Sequence, residues 1–246
     1  MNIQATVALP GDHISILGKI EVEEDTTIDQ LDEAVAAMIL KILDADVIPI
    51  IIGGGHNNAY GNIKGSYQHY HHPINVINLD PHADFRPLEG RHSGNGFSYA
   101  MHEGYLHKYA VVGLHRNYNA QAMLDRMVQN SNVFYSFYED IFINEKISFE
   151  TAIDQAMNFT KNTIIGLEID LDSIEHSLSS AMTPCGLSSR DVRKFINKIA
   201  RSNHIAYLHI AEGASTLADG RKNLLMGKLV SYLVSDFVMA YDSLEK

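Results

Sequence analysis

The sequence predicts an α/β fold in which helices cover both faces of a mostly parallel sheet. Short runs rich in β-branched residues are apolar at every position, which is typical of strands buried in a parallel sheet. Segments with helical periodicity alternate with these runs along the chain, as they do in folds built from strand–helix units. Because the 246 residues contain no repeat, low-complexity tract or linker, we expect one domain over residues 1–246.

Six apolar runs are the candidate strands of this sheet. They are Asp46–Ile52, Ile74–Leu79, Tyr109–Leu114, Asn132–Phe137, Thr163–Ile169 and His204–Ile210. In open parallel sheets, ligands bind in the crevice outside the carboxyl ends of the strands. The residues that follow these runs are therefore where we expect a functional site.

Five segments between and after the runs have the spacing of amphipathic helices. They are Ile28–Leu43, Gln121–Asn130, Phe149–Lys161, Ser189–Ser202 and Leu224–Tyr241. The fourth opens with SSRD, in which a serine precedes an acid in the first turn, a pattern typical of a capped helix start. We expect Tyr60 and the His69–His72 cluster, which lie in none of these segments, at the surface or an edge.

Composition excludes several classes of protein. The net charge of −11 argues against a nucleic acid or an anionic membrane as partner, since both select a basic face. The single cysteine, Cys185, excludes a disulfide framework and a cysteine-based zinc site. The first residues lack a signal-peptide pattern, and no apolar run approaches the roughly 20 residues of a membrane span. We therefore expect a cytoplasmic protein.

Polar residues that bind metals follow four of the six strands. The segments are GGGHNN, DPHADFR, DLDSIE and AEGA, and their candidate residues are His56, Asp80, His82, Asp84, Asp170, Asp172 and Glu212. Because alternate residues of an extended segment point the same way, we expect Asp80, His82 and Asp84 to converge. Two imidazoles and four carboxylates exceed the needs of one ion and suit two divalent ions such as Mn²⁺. Such a pair lowers the pKa of a bridging water.

These motifs resemble those of the ureohydrolase family, which includes arginase, agmatinase and formimidoylglutamase. The chain is similar over residues 47–213, with GGGH, D-x-H-x-D, D-x-D-x-x-E and a late acid in the family's order. The resemblance implies an arginase/deacetylase-like three-layer α/β/α fold with a central sheet of about eight strands. It also implies two Mn²⁺ ions held by His56, Asp80, His82, Asp84, Asp170 and Asp172. Glu168 precedes this acid pair, and we expect it to be structural or to support the ligands.

Three further features resemble the formimidoylglutamase branch. They are the third glycine in GGGH, Arg86 after the metal motif, and the segment HSGNGF. Arg86 would hold a substrate carboxylate with Ser93 or Asn95. The alternatives are that Arg86 only neutralises the acidic cluster and that Ser93 and Asn95 are ordinary turn residues. His92 lies one position before Ser93, which stands where other branches have a proton-shuttle histidine; His92 is our candidate for that role.

The resemblance implies an enzyme that hydrolyses N-formimino-L-glutamate to L-glutamate and formamide by attack of a metal-bridging hydroxide. Glu212 would pair with the amidine nitrogens, because a planar cation suits a carboxylate. An arginase- or agmatinase-type guanidino hydrolase and a non-catalytic metal-binding relative remain as alternatives. The family usually forms symmetric oligomers, so a homo-oligomer is a further expectation.

Overall fold

Six short apolar segments pair into one sheet in the computed structural model, which describes residues 14–202 and 204–243. The strands are β1 (Ile50–Ile52), β2 (Ile74–Leu79), β3 (Leu106–Leu114), β4 (Val133–Phe137), β5 (Ile165–Asp170) and β6 (Ile205–Ala211). Their order across the sheet is β1-β6-β5-β2-β3-β4, and every neighbouring pair is parallel. All six correspond to the predicted runs; β2 has the same bounds as its run, and the other five have shifted ends.

The described part of the sheet has six strands, whereas the resemblance implied about eight. The six apolar runs are all used, and β1 and β4 form the two edges. Residues 14–22 carry further apolar side chains but form no strand, and Ile16 is 96% exposed. The fold class is nevertheless as predicted.

Seven α-helices flank the sheet in the described residues. They are α1 (Ile28–Leu43), α2 (Asn58–Tyr70), α3 (Gly96–His102), α4 (Gln121–Gln129), α5 (Phe149–Thr160), α6 (Ser189–Ala200) and α7 (Met226–Asp242). Alternate residues of β2 point to opposite faces: Ile77 and Leu79 pack with α5, α6 and α7, whereas Ile74 and Val76 pack with α2, α3 and α4. The result is the predicted three-layer architecture. None of the described helices has both the length and the apolarity that a membrane span requires.

Helices α2 and α3 are not among the five predicted helical segments, and α2 shows why a helix can be missed. Helix α2 contains Gly61 and Gly65, which lower helix propensity, but a Cβ at either position would lie within 3 Å of α1 backbone oxygens. The glycines thus let α1 and α2 pack closely. Within α2, Tyr60 is buried and donates a hydrogen bond to Glu103 (2.6 Å), so its predicted surface position is wrong. His69, in the last turn, pairs with Asp44 (2.7 Å) at the helix edge.

Candidate metal centre

The candidate residues lie at the carboxyl ends of the four neighbouring strands β1, β6, β5 and β2. His56 follows β1 after Gly53 and Gly54, whose φ angles of 89° and 78° are readily adopted only by glycine. Asp80 follows β2, and Asp170 ends β5. Because these strands are adjacent and parallel, the three side chains meet at one rim, as the sequence predicts.

A first group of metal-binding atoms surrounds Nδ1 of His56. This nitrogen lies 3.1 Å from Asp80 Oδ2, 3.1 Å from Asp84 Oδ2 and 3.3 Å from Asp170 Oδ2. The His56, Asp80 and Asp170 side chains are almost completely buried. One imidazole and three carboxylates therefore converge on a single point, with ligand atoms within 4.8 Å of one another.

A second group adjoins the first and shares a residue with it. His82, Asp170 and Asp172 also offer ligand atoms within 4.8 Å of one another. Asp80 connects the two groups, because its Oδ2 faces His56 while its Oδ1 lies 3.6 Å from His82 Nδ1. Two groups that share a carboxylate are the arrangement expected of two neighbouring cations.

The carboxylates converge through tight turns, so the predicted explanation by alternation along an extended segment is wrong. Asp80 Oδ1 accepts a hydrogen bond from the backbone N–H of His82 (2.7 Å), and Asp84 has a φ of 44°. Asp170 Oδ1 likewise accepts from the N–H of Asp172 (2.6 Å) within the 3₁₀ turn Leu171–Ser173. Short polar side chains commonly stabilise such turns by bonding to the backbone two residues on.

Residues from the loop after β3 hold the Asp80–Asp84 segment in place. Asn119 Oδ1 accepts from the N–H of Ala83 (2.9 Å), and its Nδ2 donates to the carbonyl of Pro81 (2.9 Å). The ring of His82 stacks on Tyr118 with centroids 5.4 Å apart, and Tyr118 stacks on His115 (4.9 Å). The orientation of His82 is thus fixed from the β3 side of the sheet.

Crowding of like charges perturbs the titration of the carboxyl groups. Burial raises the pKa of Asp170 well above its usual range, and the nearby Asp80 charge raises it further. The pKa of Asp172 is raised to about 6, first by burial and also by the Glu212 charge. Burial alone would lower the pKa of His82, but the Asp80 carboxylate outweighs it and raises that pKa to about 9. Such a cluster is costly without a compensating positive charge.

The residues fit a pair of divalent cations. Among the described residues, Nδ1 of His56 and Oδ1 of Asp172 are buried without a hydrogen-bond partner, although three carboxylate oxygens lie 3.1–3.3 Å from Nδ1. Buried polar atoms are normally paired, so unpaired donor atoms grouped in this way indicate a missing ligand. Imidazole nitrogen with several carboxylate oxygens suits ions such as Mn²⁺.

Glu212 lies beside this centre on β6's carboxyl end. Its Oε1 accepts from the backbone N–H of His56 (2.7 Å), and its backbone φ of 65° is unusual for a residue other than glycine. No other hydrogen bond to this side chain is found in the described ranges. The carboxylate is therefore held at the rim, half-buried, next to Asp172.

Arg86 and His92 lie on a rim segment, residues 86–95, and pair with the same acid. Arg86 is exposed and donates to Glu89 Oε1 from both Nε and Nη2 (2.7 Å each). His92 Nε2 lies 3.3 Å from the same oxygen. Ser93 is exposed and begins a 3₁₀ turn. In this conformation the Arg86 guanidinium neutralises Glu89 and makes no described ion pair with the metal-binding carboxylates.

Asn95 is completely buried, and both ends of its amide are occupied. Its Oδ1 accepts from Arg91 (2.9 Å) and from the N–H of His92 (3.0 Å), while Nδ2 donates to the carbonyl of Gly90 (2.7 Å). These bonds fold the rim segment onto itself. They leave no amide atom for a substrate, so the predicted substrate contact of Asn95 does not fit the structure.

Arg91 anchors the rim segment to the body of the protein. Its guanidinium forms two hydrogen bonds to buried Asp32 of α1 (2.9 and 3.0 Å) and one to the carbonyl of Asn57 (3.0 Å). It also lies over the ring of Tyr60, 4.6 Å from the centroid. This buried ion pair has no sequence signal, because its partners are 59 residues apart.

Known proteins are similar to this chain in sequence and in fold. The family model described as the arginase family matches residues 2–235. This chain belongs to the arginase family. The match confirms the resemblance on which the sequence prediction relied.

Several proteins similar in sequence to this chain are named formimidoylglutamase. A formimidoylglutamase of Macrococcus caseolyticus is 29% identical over 227 residues, which are 90% of this chain and 70% of the relative. A formimidoylglutamase of Streptococcus pyogenes serotype M6 is 26% identical over 195 residues, 76% of this chain. The chain spans only 60% of the length of that second relative.

Solved structures of the arginase family share the fold. Formimidoylglutamase from Bacillus subtilis has a TM-score of 0.80 at 21% identity, covering 91% of this chain and 70% of that one. Trypanosoma cruzi formiminoglutamase with two Mn²⁺ has a TM-score of 0.73 at 19% identity, covering 88% and 72%. The α/β/α architecture is therefore that of the arginase family.

Sequence reasoning singled out Glu168 but missed its buried partners, His209 and Tyr207, behind the centre of this arginase-family chain. His209, inside β6, has its Nδ1 2.6 Å from Glu168 Oε2, and Tyr207 donates to Glu168 Oε1 (2.8 Å). Burial alone would raise the pKa of Glu168, but the charges and hydrogen bonds of His209 and His56 lower it to about 2. The sequence carried one signal for this group: a titratable residue stands inside each of two buried strands, Glu168 in β5 and His209 in β6.

Proposed function

We propose that this arginase-family chain is a binuclear metal-dependent hydrolase that cleaves the C–N bond of a linear amidine. The observation that carries the proposal is the pair of metal-binding groups that share Asp170. The proposed substrate is N-formimino-L-glutamate, which water converts to L-glutamate and formamide. The names of the relatives from Macrococcus and Streptococcus support this choice.

The proposed ligands divide into two sets. His56, Asp80, Asp84 and Asp170 would hold one ion, and His82, Asp170 and Asp172 the other, with Asp80 in reach of both. When bound, two Mn²⁺ ions supply a water of lowered pKa and offset the negative charge that develops during the reaction. The Mn²⁺ pair of the Trypanosoma relative supports this choice of metal.

Glu212 would orient the amidine. A planar amidinium donates paired hydrogen bonds that a carboxylate accepts well. The Glu212 carboxylate is fixed at the rim by the N–H of His56, so it is presented in one orientation. The formimino carbon of a substrate held in this way would lie over the shared carboxylates.

Arg86 and Ser93 would bind the glutamate part of the substrate. The Arg86–Glu89 pair is exposed, and exposed ion pairs exchange partners at little cost because water screens them. A substrate carboxylate is therefore able to replace Glu89 on the Arg86 guanidinium. His92, which also contacts Glu89, would carry a proton between solvent and the leaving nitrogen.

The test is turnover by protein stripped of metal and then reconstituted with Mn²⁺. We expect glutamate and formamide from N-formimino-L-glutamate, and no urea from arginine, agmatine or guanidinobutyrate. Urea release from one of the guanidino compounds would establish the guanidino-hydrolase alternative. Two bound ions without turnover of any of the four compounds would establish the non-catalytic alternative.

We further propose that the protein acts in the cytoplasm as a homo-oligomer on a small molecule, without a nucleic-acid or membrane partner. The single cysteine supports a cytoplasmic location, and the net charge of −11 supports the absence of a nucleic-acid or membrane partner. Light scattering coupled to size-exclusion chromatography measures the assembly state, and a monomeric mass would contradict the oligomer.

A further inference from the structure

Three polar residues interrupt the apolar runs of three neighbouring central strands. Asn78 of β2, Glu168 of β5 and His209 of β6 are directly opposite one another in the register of the sheet. All three side chains are completely buried. Burial of polar and charged groups is costly unless they are paired, so a row of this kind requires an explanation.

The Glu168 carboxylate connects His209 to the metal-binding His56. Its Oε2 lies 2.6 Å from His209 Nδ1 and 3.4 Å from His56 Nε2. Its Oε1 accepts the hydroxyl of Tyr207 (2.8 Å). On the opposite side of the same ring, His56 Nδ1 faces Asp80, Asp84 and Asp170.

The surrounding backbone is shaped to hold this arrangement. Gly166 of β5 leaves the space that the Tyr207 ring fills, since a Cβ at Gly166 would lie 2.5 Å from the Tyr207 hydroxyl. His209 Nε2 lies 3.4 Å from the carbonyl of Gly53, in the turn that leads to His56. Both ends of the His209 ring are therefore engaged, one by Glu168 and one by the backbone of the metal-binding loop.

We propose that Glu168 is a positioning residue for His56, held in turn by His209 and Tyr207. The Oε2 of Glu168, 3.4 Å from Nε2 of His56, would accept a hydrogen bond from Nε2–H and so leave the Nδ1 lone pair directed at the metal position among the three carboxylates. The inference rests on the proposed function, because it assigns a role within the proposed metal pair. A carboxylate behind a ligating histidine fixes the tautomer and orientation of the ring and strengthens it as a ligand.

The proposed support is one-sided. Glu168 and His209 contact His56, whereas His82 is oriented by the stacked rings of Tyr118 and His115. Loss of Glu168 should therefore weaken the ion of the first group and spare the ion held by His82, Asp170 and Asp172. This asymmetry separates a positioning role from a general effect on stability.

His56, Glu168 and His209 also form a group that would suit an ion of its own. The distance of 2.6 Å between Glu168 and His209 argues against it. Two ligands that each lie about 2.0–2.2 Å from one ion are roughly 3 Å apart or more. The shorter separation is that of a strong hydrogen bond between a carboxylate and an imidazole.

The test measures Mn²⁺ binding directly, by calorimetric titration of metal-free protein and by metal analysis after dialysis at fixed free Mn²⁺. Wild type should bind two ions per chain. Glu168→Ala should weaken one ion by about 10–100-fold and leave the affinity of the other unchanged. Glu168→Gln keeps a hydrogen-bond acceptor for His56, so its affinity for that ion should fall less than in Glu168→Ala. Tyr207→Phe removes only the Oε1 bond and keeps the His209 contact to Oε2, so it should weaken the same ion less than Glu168→Ala does.

A second pair of variants covers the case in which Glu168→Ala does not fold. His209→Asn keeps an N–H donor near the position of Nδ1 and should bind both ions like wild type. His209→Leu removes the donor and should weaken the same single ion. Spin coupling between the two Mn²⁺ ions, measured by electron paramagnetic resonance, should disappear in His209→Leu at Mn²⁺ concentrations that saturate wild type.

Three outcomes would overturn the inference. They are unchanged affinity for both ions in the Glu168 and His209 variants, equal weakening of both ions, and a third ion in wild type that His209→Leu removes. Two ions in wild type with the predicted one-sided loss, but without amidine hydrolysis, would uphold the positioning role and refute only the proposed function.

Discussion

The two sides of the candidate site are built in contrasting ways. Most candidate metal ligands at the strand ends are buried: Asp80 is 0% exposed and Asp172 3%, while Asp84 and His82 are half-buried. On the rim segment, by contrast, the Arg86 side chain is 58% exposed and His92 36%. The first side is fixed by a sheet, whereas the second is a surface loop with charges that pair among themselves.

From this contrast we propose that metal binding and substrate recognition are separable in this site. Ligands fixed by neighbouring strands and tight turns are organised before a cation arrives, which is what a metal site requires. Exposed ion pairs such as Arg86–Glu89 are readily exchanged for a charged substrate. The rim segment is nevertheless anchored, because Arg91 joins it to α1 through a buried ion pair.

The largest expected effect is the loss of both ions in Asp170→Ala. Asp170 belongs to both metal-binding groups, so its removal takes a ligand from each. Activity should fall by more than the roughly 10–100-fold typical of a residue that only supports a ligand. Metal analysis and turnover of N-formimino-L-glutamate measure the two losses.

Asp172→Ala is the matched control for that experiment. Asp172 belongs only to the second group, so this variant should keep one ion per chain. Unchanged metal content in Asp172→Ala would mean that Asp170 and Asp172 are not the ligand pair. In that case Glu168–Asp170 would become the alternative acid pair.

The convergence of the candidate ligands could be predicted from the sequence because its signals are local. Each strand is a continuous apolar run, and each candidate ligand follows such a run within a few residues, as His56 and Asp80 do. Adjacency of the strands then follows from the parallel topology. The turns that bring Asp80 and Asp84 together were not predicted, because side-chain bonds to the backbone leave no periodic pattern.

The rim was predicted less well because its contacts are distant in sequence. Asn95 was a substrate candidate, yet its amide holds Arg91 and the segment's own backbone. The Arg91–Asp32 pair could not be predicted, because its two residues are 59 positions apart and share no local pattern. Helix α2 escaped because Gly61 and Gly65 disfavour a helix locally and are favoured only by its close packing against α1.

The next largest effect is on stability, in Arg91→Met. Removing one partner of a buried ion pair should lower the unfolding free energy by about 3 kcal/mol at pH 7. The rim segment should shift and raise KM, while two ions should still bind, because no metal-binding residue contacts Arg91 in the described structure. Urea denaturation and metal analysis measure the two properties.

Arg193→Met is the control for that variant, since Arg193 forms a similar two-bond pair with Asp236 at the surface. Its unfolding free energy should change little, because an exposed pair is screened by water. Loss of an ion in Arg91→Met would show that the rim and the metal side are not separable.

A smaller effect is expected on substrate affinity. Arg86→Ala should raise KM for N-formimino-L-glutamate several-fold with little change in kcat, because the arginine would bind a carboxylate remote from the reacting bond. Glu89→Gln should lower KM, since it frees the Arg86 guanidinium from its present partner. If neither variant alters KM, Arg86 serves only to neutralise Glu89.

The smallest effect concerns the dependence of stability on pH at Asp32. Burial raises the pKa of Asp32 from 3.8 to about 6, although Arg91 acts in the opposite direction. Between about pH 4 and pH 6 the folded protein therefore keeps a proton that the unfolded chain has released. The contribution of this group to the unfolding free energy must fall as pH rises through that window.

Asp32→Asn carries no titratable group at this position, so its difference from wild type isolates the effect. The advantage of wild type over Asp32→Asn should shrink from pH 4 to pH 6 and remain constant above about pH 7. Urea denaturation of both proteins measures this difference in unfolding free energy. A chelator is present, so that the perturbed carboxyl groups at the strand ends contribute equally to the stability of wild type and Asp32→Asn. A constant difference across the window would show that the Arg91 charge fully offsets the burial of Asp32, and that the rim is anchored by a strong ion pair.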